Sequence, residues 1–148
     1  MAAVNVYLNF DGNCEEAFTF YKSVFGGEYP HISRFKDMPS QEGVPPMPDE
    51  IGGRIMHVSL KISNETMIMG SDTGGEWAPS FRQGNNFAIA ITASSKEEAD
   101  SLFNGLSEGG QVTMALDNTF WGDYFGMFTD KFGINWMMSY NAQQAQHQ

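Results

Sequence analysis

One supersecondary pattern occurs twice in this chain. An apolar-rich segment, residues 4–10, leads into Asn13-Cys14-Glu15-Glu16-Ala17, an amphipathic stretch, and the pair Gly26-Gly27 before Glu28. Residues 87–91 then lead into Ser95-Lys96-Glu97-Glu98-Ala99, a second amphipathic stretch, and Gly109-Gly110 before Gln111. The offset between the copies is nearly constant. Such a repeat means two copies of one unit and predicts a pocket where the copies meet.

Each copy can be read further from its periodicity. Asn13 with Glu16, and Ser95 with Glu98, have the spacing of helix caps. Ala17, Phe20, Tyr21, Val24 and Phe25 recur at helical spacing in the first copy, as do Ala99, Leu102, Phe103 and Leu106 in the second; Gly26 and Gly109 end the two helices. Alternating segments at 29–35, 54–62 and 66–71, then 112–116, 124–129 and 134–140, read as strands. The predicted fold is therefore α+β: two βαβββ modules, about 1–73 and 86–141, in one domain spanning 1–148 with a Gln-rich tail at 142–148. Residues 36–53 hold Pro39, Pro45, Pro46 and Pro48 and cannot form a sheet interior. They read either as a lid or arm or as a plain surface loop. Residues 71–86, with Gly74-Gly75 and Pro79, read as the link between modules.

Bulk properties narrow the function classes. With 148 residues and 41% hydrophobic content the chain can bury a core without staples. A single cysteine, Cys14, leaves no internal disulfide and points to a reducing cytoplasm. No apolar run is long enough to span a bilayer, and no basic-then-apolar leader is evident. A formal charge of −10 argues against nucleic acid and anionic membrane as partners.

Strand phase predicts which side chains face the site. Val4, Val6, Leu8 and Phe10 form one set and Asn5, Tyr7 and Asn9 the other; Met56, Val58, Leu60 and Ile62 form a core set opposite His57, Ser59 and Lys61. Closing the hairpin at Ser63-Asn64-Glu65-Thr66 so that apolar faces match pairs Ile62 with Met67 and Leu60 with Met69. That register sets His57 opposite Asp72, close enough for a hydrogen bond suited to acid–base work. An ordinary cross-strand polar pair would carry the same signature. His31 reads as a surface residue, and His147 lies in the tail. Cys14 sits at a helix start beside Glu15 and Glu16 and reads as a packing residue. Trp121 and Tyr124 offer a pocket wall with polar tips, although hairpin packing accounts for them too. Both glycine pairs follow helices, so neither is a phosphate loop or dinucleotide fingerprint.

Tyr7-Leu8-Asn9-Phe10, Glu16-Ala17, Phe20-Tyr21, Phe25-Gly26-Gly27-Glu28, Met56-His57 and Ser71-Asp72 together resemble the PhnB-like branch of the vicinal oxygen chelate superfamily. Gly109-Gly110, Phe120-Trp121-Gly122, Phe125-Gly126, Asp130-Lys131-Phe132-Gly133 and Trp136 extend the resemblance over nearly the whole domain. The superfamily includes glyoxalase I, bleomycin-resistance proteins and extradiol dioxygenases. The resemblance implies paired βαβββ modules curving around a cleft, and commonly a homodimer. Its metal-using members place ligands at positions that fall near Asn5, Asp72, Phe87 and Met137 here. Phe87 and Met137 cannot hold a hard cation and Asn5 is a poor ligand, so the family site reads as dismantled. No tightly held metal or other cofactor is expected; His57 and Asp72 are what remains for a non-standard divalent site.

The resulting expectation is a protein that binds an unidentified small molecule in the cleft, with Tyr7, Asn9, Phe87, Trp121, Tyr124 and Met137 lining it. The alternative is a glyoxalase-related lyase or isomerase in which His57 is the acid–base group and Asp72 orients it. Relatives labelled as ubiquinone-pathway methyltransferases exist, but no methyl-donor loop follows a strand here.

Overall fold

The computed structural model describes residues 2, 4–37, 43, 48–73 and 81–142. The chain divides into two compact units, Met1–Arg82 and Gln83–Gln148. The first runs β1 (Val6–Phe10), α1 (Cys14–Phe25), β2 (Glu28–Arg34), a 3-10 turn at Phe35–Asp37, the one-turn helix α2 (Asp49–Gly52), β3 (Ile55–Lys61) and β4 (Met67–Asp72). The second runs β5 (Ile89–Thr92), α3 (Lys96–Ser107), β6 (Gln111–Asn118), β7 (Tyr124–Thr129) and β8 (Asn135–Tyr140). Their sheets have the same topology, β1-β4-β3-β2 and β5-β8-β7-β6. In each, the first strand pairs parallel with the last and the other pairs are antiparallel. The α+β class and the doubled βαβββ order agree with the sequence reading. Most of the proline-rich stretch, Gly74-Gly75 with Pro79, and the tail with His147 fall outside the described residues.

Each sheet buries one face under its helix. In the first unit Leu8, Phe10, Val58, Leu60 and Ile68 are buried, together with Cys14, Ala17, Phe18 and Tyr21 of α1. In the second, Phe128, Trp136 and Met138 are buried with Ala99, Phe103 and Leu106 of α3. Fully burying the Val, Leu, Ile, Phe and Met side chains among these contributes roughly 1.5–3 kcal/mol each. Val4, placed in the core set from sequence, is instead 99% exposed, because β1 starts only at Val6.

The glycine pairs explain the repeat. A Cβ on Gly27 would lie 2.0 Å from the Lys61 carbonyl oxygen, and one on Gly110 would lie 2.1 Å from that of Thr129. No side chain fits there, so the second glycine of each pair lets the chain leaving the helix press against the end of β3 or β7. A second pair works beneath the helices: a Cβ at Gly70 would come within 2.7 Å of the Phe18 ring, and one at Gly126 within 2.7 Å of the Phe103 ring.

The β3–β4 register departs from expectation by one residue. Leu60 pairs with Ile68 and Val58 with Gly70, rather than Leu60 with Met69. Met67-Ile68-Met69 is apolar in either phase, so alternation there could not choose. Gly70 does choose, because only a glycine fits under Phe18. One step of slip exchanges the faces of every β4 side chain. It carries Ile68, Gly70 and Asp72 to the helix side and leaves Met67, Met69 and Ser71 on the other.

Candidate functional site

That slip separates the expected catalytic pair. Continuing the observed register sets Ser71, not Asp72, opposite His57. Asp72 is 5% exposed, and its carboxylate is committed to the backbone. Oδ1 accepts from Gly12 N and Cys14 N, and Oδ2 from Ile55 N, all at 2.9 Å. It therefore closes the start of α1 from across the sheet and ties in the first residue of β3, satisfying backbone donors that the helix leaves open. This also corrects the predicted cap at Asn13, whose side chain makes no capping bond. Ser95 does cap α3, accepting from Glu98 N at 3.0 Å. Beside Asp72, Arg54 and the Thr73 hydroxyl both donate to Asp11 and hold its carboxyl below the ordinary range. Burial, with Asp72 and Glu15 nearby, pushes the Cys14 thiol well above its usual value, which fits a packing residue and not a nucleophile.

His57 lies on the helix-free face of the first sheet with Tyr7, Asn9, Ser59 and Lys61, as strand phase predicted. Its Nδ1 is 3.4 Å from the Tyr7 hydroxyl and its Nε2 is 3.1 Å from Ser59 Oγ. The His31 ring stands 5.3 Å from that of His57, centroid to centroid, and its Nε2 is 3.3 Å from Ser33 Oγ. His31, read from sequence as a plain surface residue, thus joins the same exposed patch.

The second unit presents a different surface. A groove of about 920 Å³ lies on its helix-free face. Its polar lining is the amides of Gln83, Asn85 and Asn135 and the hydroxyls of Thr113 and Thr129; the rest is mostly apolar, from Phe87, Ala88, Met127, Phe128 and Trp136. Thr129 Oγ1 donates to Asn135 Oδ1 at 2.6 Å, and Asn135 Nδ2 reaches the Phe87 carbonyl at 3.4 Å. Phe87, expected from sequence in a cleft between the modules, lines this groove of the second unit with 59% of its surface exposed. Met137 shares the face, directly across from Met127. Asn135 and Thr129 were missed, although their alternation with the buried Trp136 and Phe128 was visible.

Two expected wall residues lie elsewhere. Tyr124 is in phase with Gly126 and Phe128, so it faces α3: its hydroxyl donates to Asp100, and Lys96 sits 4.9 Å above its ring. That bond to Asp100 pushes the phenol up to about 12. Trp121 is half exposed in the β6–β7 turn, its Nε1 donating to Asp123 at 3.0 Å and its ring set edge-on to Phe120 and Phe125.

The metal positions implied by the resemblance do not fit an ion. Asn5 is a weak donor, Phe87 and Met137 offer no hard donor, and both Asp72 oxygens are occupied by backbone N–H groups. His57 and Asp72 lie on opposite faces and cannot share one. Among the described residues, no three His, Cys, Asp or Glu side chains gather in reach of a cation.

Comparison with known proteins agrees with this architecture. A family model described as 3-demethylubiquinone-9 3-methyltransferase matches residues 2–139. Protein YjdN of Escherichia coli K12 is 32% identical over 143 residues, 93% of this chain and 95% of its own. The crystal structure of PA1353 from Pseudomonas aeruginosa superposes with a TM-score of 0.79 at 36% identity, covering 95% of this chain and 98% of that one. A Bacillus cereus protein titled a putative 3-demethylubiquinone-9 3-methyltransferase, PhnB protein, gives 0.70 at 26% identity, with 94% and 99% covered. At 17% identity and a TM-score of 0.58, a glyoxalase/bleomycin resistance protein/dioxygenase family enzyme from Burkholderia phytofirmans shares the fold, with 93% and 98% covered. The chain thus belongs to the family described as 3-demethylubiquinone-9 3-methyltransferase, with a PhnB protein among its structural relatives, and it shares the glyoxalase/bleomycin-resistance fold.

Proposed function

We propose that this protein binds a small molecule without a tightly held metal, and that the groove around Phe87 in the second unit is where the ligand is held. The observation that carries the reading is the groove itself. Its volume falls in the range of small-molecule sites, and a large aromatic ring stands uncovered at its edge. An enzymatic reading, a lyase or isomerase working through His57, is weaker than the sequence suggested. Its orienting carboxylate serves the backbone, and among the described residues only Tyr7 and Ser59 lie within hydrogen-bonding reach of the imidazole.

Methyl transfer, the activity in the family's name, gains no support from the described residues. The two sheets are not the doubly wound parallel sheet on which a nucleotide-derived cofactor commonly sits, and both glycine pairs close helices rather than open them. A homodimer in a reducing cytoplasm belongs to the same proposal, supported by the lone buried cysteine and by exposed Val112, Met114 and Phe120.

The test is a thermal-shift screen of purified protein against a small-molecule library, with and without Zn(II), Mn(II) and Ni(II). Light scattering on the same sample reads the oligomeric state. A ligand at 100 times its Kd adds about 2.7 kcal/mol to stability, so binders should raise Tm by several degrees without added metal. Phe87→Ala should erase the shift. A response that appears only with metal, or that survives Phe87→Ala unchanged, would overturn the reading.

A further inference from the structure

The lining of the second unit's groove limits the charge of what it can accept. We infer that its ligand is an uncharged, planar molecule carrying an amide or a comparable donor–acceptor group. This rests on the small-molecule-binding reading above and narrows it to a ligand class.

The lining contains no Lys, Arg, His, Asp or Glu among the described residues. An anion docking in it would meet no cation, and a cation would meet no carboxylate. An ion held there would gain none of the charge-assisted hydrogen bonds that offset its lost hydration. The chain's net charge of −10 adds a long-range penalty for anions in particular. What the groove does offer is matched to a neutral polar group. The amides of Gln83, Asn85 and Asn135 each present both a donor and an acceptor. Asn135 is held in place by Thr129 at its oxygen, while its nitrogen makes only a long contact to the Phe87 carbonyl. A ligand carbonyl can therefore accept from Asn135 Nδ2, and a ligand N–H can donate to a neighbouring amide oxygen. The Phe87 ring supplies a face for a flat, apolar body, and Met127 can adjust its shape to it.

Benzamide, benzoate and benzamidine have nearly the same size and shape and are neutral, anionic and cationic at neutral pH. They test the inference on the full-length protein by titration in amide-detected NMR. Benzamide should bind with a Kd on the order of millimolar, as its few atoms allow. It should shift the backbone signals of Phe87 and Thr129 and the side-chain amide of Asn135. Both charged analogues should bind at least tenfold more weakly, and Asn135→Leu should remove most of the preference for benzamide. Equal or tighter binding of benzoate or benzamidine at these residues would overturn the ligand class while leaving small-molecule binding intact. Failure of all three to bind would also overturn it, and a hit from the thermal-shift screen would then show that the broader reading survives.

Discussion

The two units share a framework and differ in what they display. Beneath the helices the solutions match closely: a phenylalanine from the helix rests over a glycine on the sheet, Phe18 over Gly70 and Phe103 over Gly126. Even so, the glycine has changed strands. In the first unit it lies on β4 opposite Val58, and in the second on β7 opposite Met138. The helix-free faces differ in their chemistry. One carries His31, His57, Tyr7 and Lys61, the other a groove of amides, hydroxyls and Phe87. Packing under the helix constrains a duplicated unit at every internal position, whereas the open face is free to change its chemistry. A site in this fold is therefore to be sought where the copies disagree.

The largest effect expected from this comparison concerns one buried carboxylate in each unit. Asp72 accepts from Gly12, Cys14 and Ile55, and Asp130 from Phe132 N, Ile134 N and the Trp136 indole. Replacing either by Ala strands several buried donors and should cost at least about 3 kcal/mol in urea denaturation. His57→Ala, on an open face, should cost under about 1 kcal/mol. Were Asp72→Ala nearly neutral for stability but damaging to a His57-dependent activity, the assignment of Asp72 to the framework would fall.

Next in size are the glycines beneath the helices. Gly70→Ala and Gly126→Ala each push a methyl against an aromatic ring and nearby backbone, at 2.9 Å from the Leu8 oxygen and the Leu116 Cα respectively. Each should lose roughly 1–3 kcal/mol by overpacking. Matching losses would confirm that the two arrangements are equivalent despite the change of strand; a large loss in one alone would break the parallel.

The smallest effect separates the helix starts. Ser95→Ala removes the bond to Glu98 N and should cost about 1 kcal/mol, while Asn13→Ala should change stability by no more than a few tenths of a kcal/mol. Chemical denaturation of the two variants side by side gives the answer, and equal losses would mean that Asn13 caps α1 after all.

The doubled βαβββ order, the helices, and the core phase of β1 and β3 were legible because local periodicity specifies them. The β3–β4 register was not, since Met67, Ile68 and Met69 satisfy either phase and the deciding contact runs from Gly70 to Phe18, far away in sequence. Asp72 was misread for the same reason: its donors at Gly12 and Cys14 are about sixty residues distant. Tyr124 failed differently. Tyr124-Phe125-Gly126-Met127-Phe128 has no polar alternation to mark a face, so only the contact with Asp100 reveals which way it turns. Phe87 was located from the resemblance, but its polar companions Thr129 and Asn135 are ordinary strand residues until the sheet is assembled.

Cys14 gives the buried start of α1 a practical meaning. Its thiol is wholly enclosed between helix and sheet, and no other sulfhydryl exists in the chain. An alkylating reagent can reach it only after α1 lifts, so the rate of its modification is a clock for the opening of one half of the molecule, read without any label being introduced.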